Sequence, residues 1–430
     1  MTDAYFSNAT VELLTASPPP QVSPELEQLA AFLAFAGPSS VGVVEPCDGV
    51  AGEICTVAGN GVADFTGDNV AATQTTISRP IELALTDWNG DRVVDLAIAD
   101  WNNFRIRLVY LDVTTNGVED AIVSLAGTGR ITGADALDHP TDLAFAADGA
   151  LLIAGWHHPN VYRYARGLAN GADREQIAGL CDTNCDSDGS TRVDDTFLSL
   201  PVSIASHPDG RIFLAEAGCS RIRVLTVAGQ RSVSSPMTCL FDINVFADTT
   251  IETLAGSSGV NGYAGDGGEA SAAIFDIDNS YITPNFGIAL SQDGDSPGEA
   301  LFVADSRNHV VRRIDLSVNP PTIDRYVGIP ETSGFVDGPA DVALFNFPTG
   351  VYADTDGAVY VADTGNQAVR RIDQVGRVTT IAGTGIAGFN GDNRPATQAR
   401  LNNPNGVVVH PDGRIFIADT NNNRIRVINP

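Results

Sequence analysis

Lysine is absent from this 430-residue chain: its 25 basic residues are all arginine, set against 53 acidic ones for a formal net charge of −28. A surface so poor in positive charge repels phosphate backbones, whose capture needs clustered Lys and Arg. Nucleic acid is therefore excluded as an expected partner. No phosphate-cradling Gly-Lys-Ser/Thr loop, G-x-S-x-G nucleophile elbow or Cys-x-x-Cys-His haem motif occurs. The apolar stretch within PELEQLAAFLAFAG (Pro24 to Gly37) is too short to span a membrane. Met1 to Pro20 lack the basic start and apolar core of a signal peptide. The acidic composition suits high salt or millimolar calcium, where self-repulsion is screened or neutralised; genomic base-composition bias explains it equally well.

What the chain does have is repetition. A word of the type T-hydrophobic-A-G appears at Thr56 to Gly59, Ser124 to Gly127, Gln176 to Gly179, Thr253 to Gly256, Arg325 to Gly328 and Thr380 to Gly383. A second word, a hydrophobic-Ala-Asp/Glu strand running into Arg-hydrophobic-Arg, covers Ile98 to Arg107, Leu214 to Arg223, Val303 to Arg312, Val361 to Arg370 and Ile417 to Arg426. Short β-rich runs recurring every ~40 to 60 residues are the mark of a propeller, one repeat per blade. In the fifth repeat four runs of β-branched and aromatic residues, separated by Gly, Asp and Asn turns, spell a four-stranded antiparallel meander. Its first two strands are almost continuously apolar, as inner strands covered on both faces must be. The sixth repeat supplies three strands before Pro430, and an orphan fourth, ICTVAG, sits at Ile54 to Gly59. The N-terminal strand is expected to complete the C-terminal blade.

These words, with the loops at Gly67 to Pro80 and Gly391 to Pro404, closely resemble NHL-repeat propellers over about Ile54 to Pro430. The expectation is an all-β, six-bladed propeller over residues 47–430, preceded at 1–46 by a linker and a short helix. Pro24, the acids Glu25 and Glu27, and Gly37 bound that helix.

The six cysteines fall into local groups, which suggests disulfides and an oxidising compartment. Cys47–Cys55, Cys181–Cys185 and Cys219–Cys239 are the expected pairs. Zinc in the CDTNC loop is the rival reading, though two cysteines give half a tetrahedral shell. In the first blade an insertion of four residues yields D-W-N-G-D-R-V-V-D (Asp87 to Asp95). Asp87, Asn89, Asp91, the carbonyl of Val93 and Asp95 alternate there, as ligands of a hard Ca²⁺ do on a tight loop. The spacing resembles the calcium loops of FG-GAP repeats, and an ordinary Asp/Asn-rich hairpin turn is the plain alternative. Asp182, Asn184, Asp186 and Asp188 form a second, weaker cation candidate.

The catalytic relatives that the resemblance suggests are amidating lyases, which hold zinc through three histidines in the channel. This chain has six histidines. His207 and His410 stand in H-P-D-G turns, and His309 sits in a surface position. His139 alone matches a channel-mouth position; its counterparts are Arg79, Leu200, Phe347 and Asn403, with Pro284 or Asn285. The second blade replaces the usual acid by Gly155 and continues Trp156-His157-His158. Trp156 aligns with Trp101, so Trp101, His139, Trp156, His157 and His158 mark a possible ligand surface, with packing as the alternative. The acids Asp100, Glu216, Asp305, Asp363 and Asp419 recur in five blades, so they are expected to serve the repeat by holding backbone amides and arginines such as Arg312 and Arg370.

The resulting expectation is an extracellular, cell-surface or periplasmic binding module with structural calcium, engaging a protein or glycan through loops on one face. The long segments Gly59 to Pro80, Ala228 to Thr250 and Gly256 to Pro284 are the candidate loops. The alternative is a metal-dependent lyase or hydrolase centred on the channel; the fold hosts both.

Overall fold

The computed structural model describes Cys47, residues 49–111 and most of the chain beyond. Residues 1–46, 48, 112–119, 130–135, 157–159, 167–173, 179–197, 228–231, 235–243, 247–248, 258–259, 278–285 and 293–297 are not described. The chain divides at Ser39/Ser40, and every described element belongs to the second unit. The helix expected at Pro24 to Gly37 lies outside the described residues.

Each repeat folds into an antiparallel sheet, and six such sheets build a six-bladed β-propeller. Blade 1 comprises Pro80–Thr86, Asp95–Asp100, Arg105–Val109 and Ala121–Ala126. Blade 5 comprises Pro348–Ala353, Val359–Asp363, Ala368–Ile372 and Val378–Ala382, ordered from the inside outward as the meander predicts. Apolar alternation on the two faces of each strand creates one cluster per pair of neighbouring blades. Phe416, Ile425 and Val427 of blade 6, for instance, meet Leu83, Leu96 and Ile98 of blade 1. Each such side chain contributes roughly 1.5–3 kcal/mol by leaving water.

The ring closes as the strand count requires. Glu53–Ala58 pairs antiparallel with Arg424–Ile428, with Ile54 opposite Ile428 and Thr56 opposite Arg426. Closure removes an edge that would otherwise recruit other chains. A Cys47–Cys55 disulfide ties down the start of the closing strand. Cys219, fully buried, is also disulfide-bonded, whereas the expected roles of Cys181, Cys185 and Cys239 fall outside the described residues.

One feature escapes the simple meander. Asn244–Phe246, from the insertion in blade 3, pairs parallel with Arg174–Ala178 of blade 2, and Ser232–Ser234 adds to its other edge. These two strands thus extend the neighbouring sheet.

The glycine that ends the T-hydrophobic-A-G word has a steric reason. Gly59, Gly127, Gly256, Gly328 and Gly383 lie at φ between 81° and 97°, a region costly for side chains. A Cβ on Gly383 would also stand 2.2 Å from the Gln367 carbonyl oxygen, and one on Gly127 2.2 Å from that of Phe104. In these five blades the last strand therefore ends hard against the turn that follows the second strand.

The closing disulfide makes a stability prediction. Cys47→Ser should lower the unfolding free energy by about 2–3 kcal/mol, the loop-entropy value for so short a ring, read from the urea midpoint under non-reducing conditions. An unchanged midpoint would show that the closing strand holds without it.

Candidate functional site

The recurrent acid at the end of each second strand is the hub of a repeated polar core. Asp100, Glu216, Asp305, Asp363 and Asp419 have no solvent exposure. A one-turn 3₁₀ helix follows each of the five, as at Thr364–Asn366 after Asp363, and ends in a left-handed residue: Phe104, Ser220, His309, Gln367 or Asn423. In four blades the Asn closing that turn bends back onto the acid, at 2.8 Å for Asn103, Asn366 and Asn422 and 2.9 Å for Asn308. The same carboxylates accept the amides of Ser78, Asp276, Asn346 and Asn402.

The arginine seven residues later completes the arrangement. Arg370 lies 2.7 Å from Asp363 and 2.6 Å from Asp337, a second acid on the loop entering its blade, and donates to the Val336 and Leu344 carbonyls. Arg107 is set likewise between Asp100 and Asp68, Arg312 between Asp305 and Asp266, and Arg426 between Asp419 and Asp392. An aromatic ring covers each guanidinium: Phe65, Tyr263, Phe335 and Phe389 lie 4.8–5.1 Å from Arg107, Arg312, Arg370 and Arg426. In blade 3, Glu216 takes both Arg221 and Arg223. The expectation that these acids serve the repeat is met.

Blade 2 solves the same problem without charge. Tyr162 occupies the arginine position and accepts a hydrogen bond from Asn160, whose own oxygen accepts from Gln176. Trp156 stacks on Trp101 across the blade boundary at 5.3 Å and 25°. His139 packs 5.0 Å from Trp101 and 4.5 Å from Phe104, and its Nδ1 meets Asp138 at 2.7 Å. The side-by-side tryptophans are therefore real, but at 3% and 2% exposure they join two blades and do not form an open surface. His139 does share the backbone of its counterparts: Arg79, His139, Leu200, Phe347 and Asn403 all have φ of 44–54°. His157 and His158 lie outside the described residues, as does the Asp182 to Asp195 loop.

The Asp87 to Asp95 turn joins the first two strands of blade 1. Asn89 accepts the Asp91 amide and donates to its Oδ2, and Asp91 accepts the Val93 amide. Asp95 is buried and accepts the Leu111 amide; Asp87 faces Arg166 at 3.4 Å, and its Oδ1 is buried without a hydrogen bond. The alternate positions do share one turn, although their side chains are partly engaged by its own amides. Among the described residues no three His, Cys, Asp or Glu side chains form a metal-binding group.

The channel holds two acids that the repeat reading passed over. The innermost strands of all six blades line a cavity of about 530 Å³. Glu82 and Asp142, third residues of their strands, lie in its wall. Asp142 accepts the amides of Leu143 and Ile204 and the Ser203 hydroxyl at 2.6–2.7 Å; Glu82 accepts the Leu83 amide. Burial pushes the Glu82 carboxyl well above the usual range, and the charge of Asp142 adds to the effect; burial likewise raises Asp142. The signal was present as a break in pattern: this position reads Glu82, Asp142, Ser203, Gly287, Gly350, Gly406 around the ring.

The fold and the repeated core together define an NHL-type propeller. The NHL repeat family matches residues 345–372 and 401–428, and the chain is an NHL-repeat β-propeller. It is 35% identical over 156 residues to Protein SUPPRESSOR OF QUENCHING 1, chloroplastic, from Arabidopsis thaliana, covering 35% of this chain and 14% of that protein. It is 32% identical over 148 residues to NHL repeat-containing protein 2 from Homo sapiens, covering 32% of this chain and 20% of that one. The matched region thus spans a fifth or less of those two relatives. The fold is shared with an auxiliary nutrient binding protein from Bacteroides thetaiotaomicron, at TM-score 0.58 and 16% identity, covering 87% of this chain and 75% of that chain.

Two outcomes follow from the acid–arginine cores. Arg370→Met strands a buried carboxylate and should cost about 3–5 kcal/mol, while Asp363→Asn with Arg370→Met should recover part of that; equal losses in urea melts would contradict the pairing. The second concerns pH. Burial outweighs the Asn, amide and Arg contacts and raises Asp100 and Asp363 to about 6 and Asp305 to about 7. A carboxyl raised on folding adds stability that is complete below its unfolded pKa and lost as pH climbs through the folded one. Asp337 runs the other way: burial opposes it, but the Thr380 amide and Arg370 hold it low, so its contribution disappears in acid. At fixed salt the urea midpoint should be highest near about pH 4–5 and fall until about pH 7; a midpoint rising between about pH 5 and 7 would refute the shifts.

Proposed function

We propose that this propeller is a binding module that presents a rigid apolar patch, on the loops flanking blade 5, to a protein or glycan partner. The observation that carries the reading is the exposure of Phe335, Val336, Val342 and Ile386, at 41%, 40%, 49% and 54%. Their loops are held from beneath, since Arg370 grips the Val336 carbonyl and Asp337. The two loops also meet: a Cβ on Gly385 would lie 3.3 Å from the Phe335 ring. Apolar side chains on pinned backbone lose little entropy on docking, the condition for a strong contact. The disulfides favour an oxidising, extracellular setting, and the net charge of −28 disfavours nucleic acid. Among the described residues no helix is long and apolar enough to cross a membrane. Structural calcium at Asp87 to Asp95 belongs to the same proposal, with the buried, unbonded Asp87 Oδ1 as its support.

A second reading, a channel-centred metal-dependent lyase or hydrolase, draws support from the two carboxyls in the channel. It requires a metal that the Asp87 to Asp95 turn does not hold.

Glycan and extracellular-protein arrays test the patch. The chain should bind a defined subset, and Phe335→Ser with Ile386→Ser should weaken that binding on the order of tenfold or more at an unchanged melting temperature. Equal binding by the variant would remove the patch from the function. Elemental analysis of the same preparations should give calcium near one per chain, lost in Asp91→Ala with Asp95→Ala. Metal that survives those changes would favour the enzyme.

A further inference from the structure

Each of the five recurrent acids that end the second strands has an arginine beside it, but the two acids of the channel do not. Of the residues described in the cavity wall, the titratable ones are Glu82, Asp142 and Tyr352, and none is basic. The Tyr352 hydroxyl donates to the Val409 carbonyl, and burial raises its pKa, so it stays neutral. Beside the main cavity a pocket of about 20 Å³, also lined by Glu82, takes in Asn405. The Asn405 side chain is 3% exposed and its Oδ1 has no hydrogen-bond donor, while its Nδ2 donates to Thr420. Glu82 and Asn405 thus line one small pocket, and Glu82 and Asp142 line the cavity beside it. Amide and hydroxyl donors serve these carboxyls in part, but no basic group balances their charge, and a buried carboxylate without one calls for a cation.

The ring geometry explains why the acids gather on one side. Blades 4, 5 and 6 carry Gly287, Gly350 and Gly406 where blades 1, 2 and 3 carry Glu82, Asp142 and Ser203. A Cβ on Gly287 would stand 2.3 Å from the Thr349 carbonyl oxygen, and one on Gly350 2.1 Å from that of Asn405. The inner strands therefore close up on the glycine side. At Gly406 the atom met is Glu82 Oε1, at 2.5 Å, so this glycine makes room for the carboxylate. All six blades also contribute apolar residues to the wall, Leu83, Leu143, Ile204, Ile288, Val351 and Val407, beside polar ones such as Ser291, Gln292 and Thr355.

We infer that the channel is a binding site for a small organic ammonium ion, its apolar body against the six-strand wall and its charged nitrogen at Glu82 and Asp142. This site is independent of the apolar patch on the loops. A cavity of about 530 Å³ lies in the range that takes small organic ligands. An ammonium group offers two or three N–H donors and needs no ring of ligands, whereas a hard metal ion collects six or more oxygens. Among the described residues no third acid, histidine or cysteine joins the pair. The net charge of −28 adds a long-range field that draws cations toward the molecule.

The test uses the full chain and benzylammonium, with benzyl alcohol as its neutral counterpart and Ca²⁺ as the metal alone, in calorimetric titrations. Benzylammonium should bind and benzyl alcohol should bind on the order of tenfold more weakly or not at all. Affinity for the amine should rise on the order of tenfold between about pH 5.5 and 7.5. The ligand stays cationic across that range while Asp142, raised by burial to about 7, loses its proton. Glu82→Gln with Asp142→Asn should abolish binding, and because it removes two buried charges of like sign it should not lower the melting temperature at pH 8. Retained binding of the amine in that variant, equal affinity for the alcohol, Ca²⁺ binding that the Glu82→Gln, Asp142→Asn variant loses, or no binding of the amine would each overturn the proposal.

Discussion

A guanidinium clamped between two carboxylates is the interaction on which the propeller depends. One acid ends the second strand, the other sits on the loop entering the blade, and the arginine between them also donates to loop carbonyls. Strand, turn and inter-blade loop are thereby joined through one planar group. An ammonium could not do the same, because its donors do not form a fixed fork. Such buried pairs are weak sources of net stability once desolvation is counted, yet losing one partner is severe. Their effect is to fix a single arrangement of loops whose composition alone would allow many.

That constraint separates what was legible in the sequence from what was not. The blade count, the strand order and the closure by Ile54 to Gly59 follow from words recurring along the chain, because each word encodes a local contact. The acid–arginine pairing of Asp363 with Arg370 spans one hairpin, and the shared left-handed backbone of Arg79, His139, Leu200, Phe347 and Asn403 marks one place in the repeat. Even the Trp101–Trp156 stack follows from alignment of adjacent blades, although its burial does not. Glu82 and Asp142 were not found this way. They are ~60 residues apart, each reads as one polar residue in a strand, and only curvature of the ring brings them into one cavity. The return of Asn244–Phe246 to blade 2 was hidden for a similar reason, since a parallel partner leaves no local mark.

In a repeat fold the two kinds of residue have different tasks. A side chain required by every blade answers the needs of the blade, as Asp100, Asp305, Asp363 and Asp419 do. A side chain that departs from the repeat is released from that task, and its presence needs another cause. Blade 2 shows that departure can still be structural: Gly155, Tyr162 and Asn160 replace an ion pair by a neutral hydrogen-bond chain, and the space is taken up by Trp156 and His139.

The channel does not admit that explanation. Gly287, Gly350 and Gly406 show that the innermost strands close the ring without polar side chains at this level, so Glu82 and Asp142 are not demanded by the fold. Burial strips hydration from both carboxyls and raises both, and the charge of Asp142 raises Glu82 further. A fold that neutralises its other recurrent buried acids with arginine had the same means available here and left them unused. The unbalanced charge is therefore a property of the cavity and points to what enters it, whereas the arginine cores set the stiffness with which the surrounding loops are held.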